Sequence, residues 1–133
     1  MSTSSIVEKS IGFLLDEFFT ASLKYKNSVG DFEKTVARLG QLKQIIFDIL
    51  SKYTDPEQGK VFADLASQLF NTVSDCWDAQ EIVMLYPLEG HEKEIAVAAK
   101  EAQRLNAVRN NLIKQIDQLL GYEETTVLGK SYG

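Results

Sequence analysis

The chain has 133 residues, 44% hydrophobic and 25% charged, and its 14 Lys and Arg against 19 Asp and Glu leave a formal net charge of −5. That is the composition of one soluble globular domain, able to bury roughly 65–70% of the surface its unfolded chain exposes, and its one cysteine, Cys76, excludes a disulfide scaffold. The acidic balance argues against partnership with nucleic acid or an anionic membrane, and with no apolar run near the ~18 residues of a membrane span and no basic-then-apolar leader, the protein reads as cytoplasmic.

Four helical segments follow one another, and no strand pattern of convincing length interrupts them. The first runs from about 5 to 27. Ile11, Leu14, Leu15, Phe18 and Tyr25 recur at helical spacing, while Phe13, Phe19 and Leu23 lie outside that stripe. A helix apolar over more than one face is either central in its own bundle or buried against a second subunit, and the second option predicts a homodimer through helix one. The second segment spans about 31–53. Asp31 is placed to accept from the free N–H groups of its first turn, and Val36, Leu39, Leu42, Ile46, Ile49, Leu50 and Tyr53 form its stripe.

Thr54-Asp55-Pro56-Glu57 is the clearest start signal, with Asp55 as N-cap and Pro56 at the first helical position, where its missing N–H costs nothing. The third helix, 56–86, carries Phe62, Leu65, Ala66, Leu69, Val73, Cys76, Trp77 and Gln80 along one face and stops at Tyr86-Pro87. The last helix, 92–120, ends at Gly121, a natural left-handed residue. Long helices with short connections predict an all-α, antiparallel up-down-up-down four-helix bundle over 1–121, followed by a flexible tail, 122–133. Gly129-Lys130-Ser131 in that tail lacks the upstream glycine, strand and helix of a phosphate-binding loop.

In the last helix Ile95, Ala99, Ala102, Asn106, Arg109, Ile113, Ile116 and Leu120 alternate in steps of three and four, so two polar residues interrupt an apolar seam. A buried amide at Asn106 needs a hydrogen-bond partner, and a buried guanidinium at Arg109 needs a carboxylate or carbonyl. Glu17, Glu81 and Asp117 are the candidate acids. Gln80, on the core face of the third helix, and Asn110 belong to the same question. Two readings stand: a register-fixing polar layer, or a polar pocket between helices that takes a small ligand or a partner's side chain.

Leu105-Asn106-x-x-Arg109-Asn110-x-Leu112-Ile113-x-x-Ile116-Asp117, with Trp77 and Glu81 before it, resembles the last helix of a family of small bacterial all-helical proteins of unknown function. The likeness covers the C-terminal third. It implies a helical fold and a bacterial source, and no activity.

Two nucleotide-related enzyme classes compete with a non-catalytic binding or assembly module. Glu89-x-x-Glu92 and Lys114-x-x-Asp117 resemble the carboxylate signature of the all-α NTP pyrophosphatases, whose magnesium chemistry needs converging carboxylates. On one unbroken helix, though, Glu92 and Asp117 stand about 37 Å apart. Arg109-Asn110-Asn-Leu-Ile-Lys114 resembles the signature of helical toxin-type ribonucleases, with Lys114 where a histidine base belongs, and lysine's pKa near 10.4 makes it a poor base. His91 is the only histidine and reads as a helix-start residue, too little for a paired Glu-x-x-His metal site. No cofactor is expected, and Cys76 reads as a core thiol.

Overall fold

The computed structural model describes residues 9–53 and 55–121. They form four helices, α1 (Ile11–Lys26), α2 (Phe32–Leu50), α3 (Pro56–Leu85) and α4 (Glu92–Leu119), with no strand among the described residues. The local chemistry at each end explains the boundaries. Ser10 is extended, and its hydroxyl accepts from the Phe13 N–H at 3.3 Å, so α1 starts at Ile11. That corrects the expected start near residue 5: the serine holds the first-turn donors in a conformation that cannot continue the helix backward. Asp31 caps Lys34 N–H at 3.0 Å and Asp55 caps Glu57 N–H at 3.0 Å, as their sequence contexts predicted. Tyr86 is extended before Pro87, and Gly121 takes φ +86° after the last turn of α4. The expected tail, 122–133, lies outside the described residues.

Cross-helix pairs fix the directions. Gly12 meets Asp117 and Asp16 meets Arg109, so α1 and α4 are antiparallel. Glu17 meets Arg38 across α1 and α2, and Gln58 and Cys76 meet Leu119 and Asn106 across α3 and α4. The chain is an all-α up-down-up-down four-helix bundle in which α1 packs against each of the other three.

Ile11, Leu14, Leu15 and Leu23 are buried in the common core with Leu42, Leu69, Val73, Ile113 and Ile116, and Phe13, Phe18 and Phe19 pack half-buried against it. Much of the apolar surface of α1 is therefore packed within one chain, as a helix that touches all three others requires. Tyr25 near the end of α1 is exposed, and the largest exposures lie elsewhere: Phe32 and Phe47 on α2, Met84 and Leu85 at the end of α3, Leu88 in the loop, and Val97 on α4.

The seam of α4 runs through Ala98, Ala102, Leu105, Leu112, Ile113, Ile116 and Leu120. It agrees with the expected seam in the C-terminal half and moves off it in the N-terminal half, where Ala98 and Leu105 are buried while Ala99 and Asn106 are exposed. A strict alternation of three and four assumes 3.5 residues per turn. A straight helix has 3.6, and there the buried positions centre between Ala102 and Leu105, which leaves Ala99 and Asn106 at the edge of the core face.

Candidate functional site

Two rows of side chains spaced by four residues face each other across the α1/α4 contact: Gly12, Asp16 and Thr20 on one helix, Arg109, Ile113 and Asp117 on the other. Gly12 allows the close approach. A Cβ at that position would stand 2.7 Å from the Ile113 carbonyl oxygen and 2.9 Å from Asp117 Oδ1. With no side chain in the way, the Gly12 N–H donates to Asp117 Oδ1 at 2.8 Å, and the Ser10 hydroxyl also hydrogen-bonds this carboxyl. Asp117 is thus a tertiary cap on the N-terminus of α1, where a carboxylate meets unsatisfied donors and the positive end of the helix dipole. It is 2% exposed, and its Oδ2 has no partner. Burial pushes its pKa above the usual carboxylate range, and the bonds from Ser10 and Gly12 only partly offset this.

Arg109 lies one step further along. Its Nε and Nη2 donate to the two carboxylate oxygens of Asp16 at 2.5 and 2.8 Å, and Nη2 also reaches Thr20 Oγ1 at 3.2 Å. This fork-to-fork pair is among the stronger polar contacts available to a protein. The bonds to Asp16 raise the guanidinium's pKa against the opposing effect of burial, so Arg109 is a fixed cation.

The partner is therefore Asp16 and not Glu17, Glu81 or Asp117. Asp117 is eight residues from Arg109, about 12 Å along the helix, and is held by α1's first turn. Glu81 is exposed on α3. Glu17 points one position round α1, where it takes Arg38 of α2 through Nε at 2.7 Å and Nη2 at 2.9 Å, with Lys9 at 3.0 Å. The Arg38 hydrogen bond holds its carboxyl below the ordinary range despite partial burial.

Asn106 and Gln80 are also corrected. Both are exposed at the α3/α4 rim, where the Cys76 thiol donates to Asn106 Oδ1 at 3.5 Å and accepts from Gln80 Nε2 at 3.7 Å. Cys76 itself is buried, as its apolar surroundings suggested. Asn110 is exposed. His91 is the N-cap residue of α4, with its ring against Tyr86 and Nδ1 3.1 Å from the Pro87 carbonyl.

Of the expected residues, then, Arg109 and Glu17 come together. They share a cleft of about 400 Å³ between α1, α2 and α4, lined also by Asp16, Thr20, Ala21, Lys24, Lys34, Thr35 and Arg38. Asp16, Lys24, Lys34 and Arg38 were missed. The i, i+4 row Gly12-Asp16-Thr20 was the available signal for Asp16, since a row of small and polar residues on an otherwise apolar helix marks a contact with a polar neighbour. Four cations and two carboxylates meet here. Asp16 and Glu17 immobilise the two arginines, while the ammonium groups of Lys24 and Lys34 have no hydrogen-bond or ion-pair partner among the described residues.

Among the described residues no group of three or more His, Cys, Asp and Glu stands close enough to hold a metal ion, and no helix is long and apolar enough to cross a membrane. No protein-family model, curated protein or solved structure matches the chain.

Proposed function

We propose that this chain is a non-catalytic helical binding module and that the cleft between α1, α2 and α4 takes a small ligand bearing a phosphate or carboxylate group. One observation carries the reading. In a chain of net charge −5, four cationic side chains converge on one cleft that contains two carboxylates, leaving a local excess of two positive charges. The arginines form a rigid cationic floor held by Asp16 and Glu17, and the two lysines above it are free to close on an anion. Exposed charge pairs contribute about 0.2–1 kcal/mol each, so the four cations together supply at most about 4 kcal/mol, a dissociation constant no tighter than the millimolar range. Binding of this kind weakens with salt, because the Debye length is ~10 Å at 0.1 M.

The competing reading is a nucleotide-related enzyme of the pyrophosphatase or degenerate nuclease kind. It is less well supported, since α4 is unbroken from Glu92 to Leu119 and holds Glu92 and Asp117 apart. The resemblance of the last helix to small bacterial proteins of unknown function favours neither class. A thermal-shift panel separates them. Inorganic phosphate and small dicarboxylates, tested against chloride at matched ionic strength, raise the melting temperature of the parent and not of Lys24→Ala/Lys34→Ala. Stabilisation by nucleoside triphosphates that requires Mg²⁺, accompanied by turnover, would instead establish the enzyme reading.

A further inference from the structure

Sixteen residues at 3.6 per turn put Val97 about 160° round α4 from Ile113, which faces α1. Val97 therefore lies on the side of the α3/α4 pair turned away from the rest of the bundle, and it is 69% exposed. There it forms one wall of a groove of about 430 Å³ with Ala98, Ala79 and Ile82. Leu85, three residues beyond Ile82 and 72% exposed, extends the apolar surface toward the tip of the hairpin. Lys93, Glu94 and Glu101 edge the groove.

The order of charges about Val97 names the occupant. Counting outward, the residues three positions away are Glu94 and Lys100, and those four positions away are Lys93 and Glu101. Each pair is of opposite sign. When two copies of one helix cross antiparallel, the residue n positions before the crossing point faces the residue n positions after it in the other copy. A two-fold axis at Val97 thus places Glu94 against the second copy's Lys100 and Lys93 against its Glu101, twice over. Ala98 lines the groove beside Val97, and its small side chain leaves room there for a second helix at the 8–10 Å of packed helices. Lys93, Glu94 and Lys100 have no ion-pair or hydrogen-bond partner among the described residues, while Glu101 is already paired with Arg104 of its own helix, so the Glu94–Lys100 pairs carry the complementarity. Ser10 and Gly121, close to where the described residues begin and end, lie at the other end of α4, as the Gly12–Asp117 contact requires, and are clear of this face.

We infer that the outer α3/α4 groove is an isologous dimer interface, filled by a second copy of this chain with α4 crossing its counterpart antiparallel at Val97. The interface is self-complementary, as a two-fold contact must be. It uses a different surface from a dimer through helix one, and it is independent of the anion cleft.

Size-exclusion chromatography with light scattering tests it across 10–200 µM protein. The expected mass at the upper end is twice the 14.9 kDa of one chain. Val97→Glu places a charge at an exposed position and returns the monomer with an unchanged helical circular dichroism spectrum. Glu94→Lys and Lys100→Glu each create like-charge pairs across the axis and weaken dimerisation at least tenfold, and the double variant restores it. A monomer throughout the range overturns the inference, whether the groove is then empty or serves another partner. So does a dimer that survives Val97→Glu, or a double variant that dimerises no better than the single ones.

Discussion

Replacing Gly12 by alanine tests the α1/α4 contact at its tightest point. The added methyl would stand 2.7 Å from the Ile113 carbonyl oxygen and 2.9 Å from both Ile113 Cγ2 and Asp117 Oδ1, and the first of these is backbone that cannot turn aside. α1 must move off α4 by several tenths of an ångström. Overpacking of this kind costs about 1–3 kcal/mol. The same movement pulls the Gly12 N–H from Asp117 Oδ1, a 2.8 Å bond to a buried carboxyl whose other oxygen already lacks a partner, and hydrogen bonds to charged groups contribute about 1.5–3 kcal/mol. Against this stands alanine's better helix propensity, at most ~1 kcal/mol and smaller in a first turn. The net expectation is a loss of about 2–4 kcal/mol, which for a chain of this length lowers the melting temperature by roughly 8–16 °C. Gly40→Ala and Gly59→Ala are the matched controls, because a Cβ at either meets nothing within 4 Å; they gain up to ~1 kcal/mol. Thermal and urea unfolding followed by far-UV circular dichroism reads all three. If Gly12→Ala is neutral or stabilising like its controls, the close approach of α1 to α4 and the capping role of Asp117 are both refuted.

The clasp between Arg109 and Asp16 predicts that Arg109→Met destabilises by about 1–3 kcal/mol, because it strands a largely buried carboxylate, and that adding Asp16→Leu recovers part of the loss; additive urea midpoints would contradict it. Asp117 makes the fold pH-sensitive in a definite direction. Its pKa is higher folded than unfolded, so its contribution to stability falls as pH rises from the unfolded value of about 3.9 through the folded one. Asp117→Asn keeps an oxygen for the Gly12 N–H and removes this effect, so the melting temperature of the variant minus that of the parent should grow between about pH 4 and pH 7, where a flat or falling difference contradicts the assignment. At the same end of α4, the Tyr53 hydroxyl donates to the Leu120 carbonyl at 2.9 Å. Tyr53→Phe should cost about 0.5–1.5 kcal/mol, with hydrogen exchange speeding up first in the last turn of α4.

The architecture was legible because its determinants are local. Asp31, Asp55-Pro56, Tyr86-Pro87 and Gly121 mark helix ends by what their own backbone and side chains can do, and each stands at an observed boundary. The prominence of Arg109 was legible too, since a guanidinium in an apolar seam requires an acid. Which acid was not, because Asp16 and Glu17 are neighbours in sequence and a rotation of one residue about α1 decides between Arg109 and Arg38 as partner. Asn106 and Gln80 were misplaced because each stands at the edge of its helix's buried face, one residue from Leu105 and Ala79, which are buried. Lys24, Lys34 and Arg38 belong to the α1/α2 corner, and no spacing within a single helix shows that they face Arg109.

The central claim is that the cleft between α1, α2 and α4 binds an anion, and amide NMR during a titration with inorganic phosphate tests it most directly. The account predicts saturable shifts confined to the surroundings of Thr20, Lys24, Lys34, Arg38 and Arg109, with a dissociation constant near the millimolar range that rises with added salt and is lost in Lys24→Ala/Lys34→Ala. Shifts that never saturate, or that scatter over every exposed lysine of the chain alike, would contradict it.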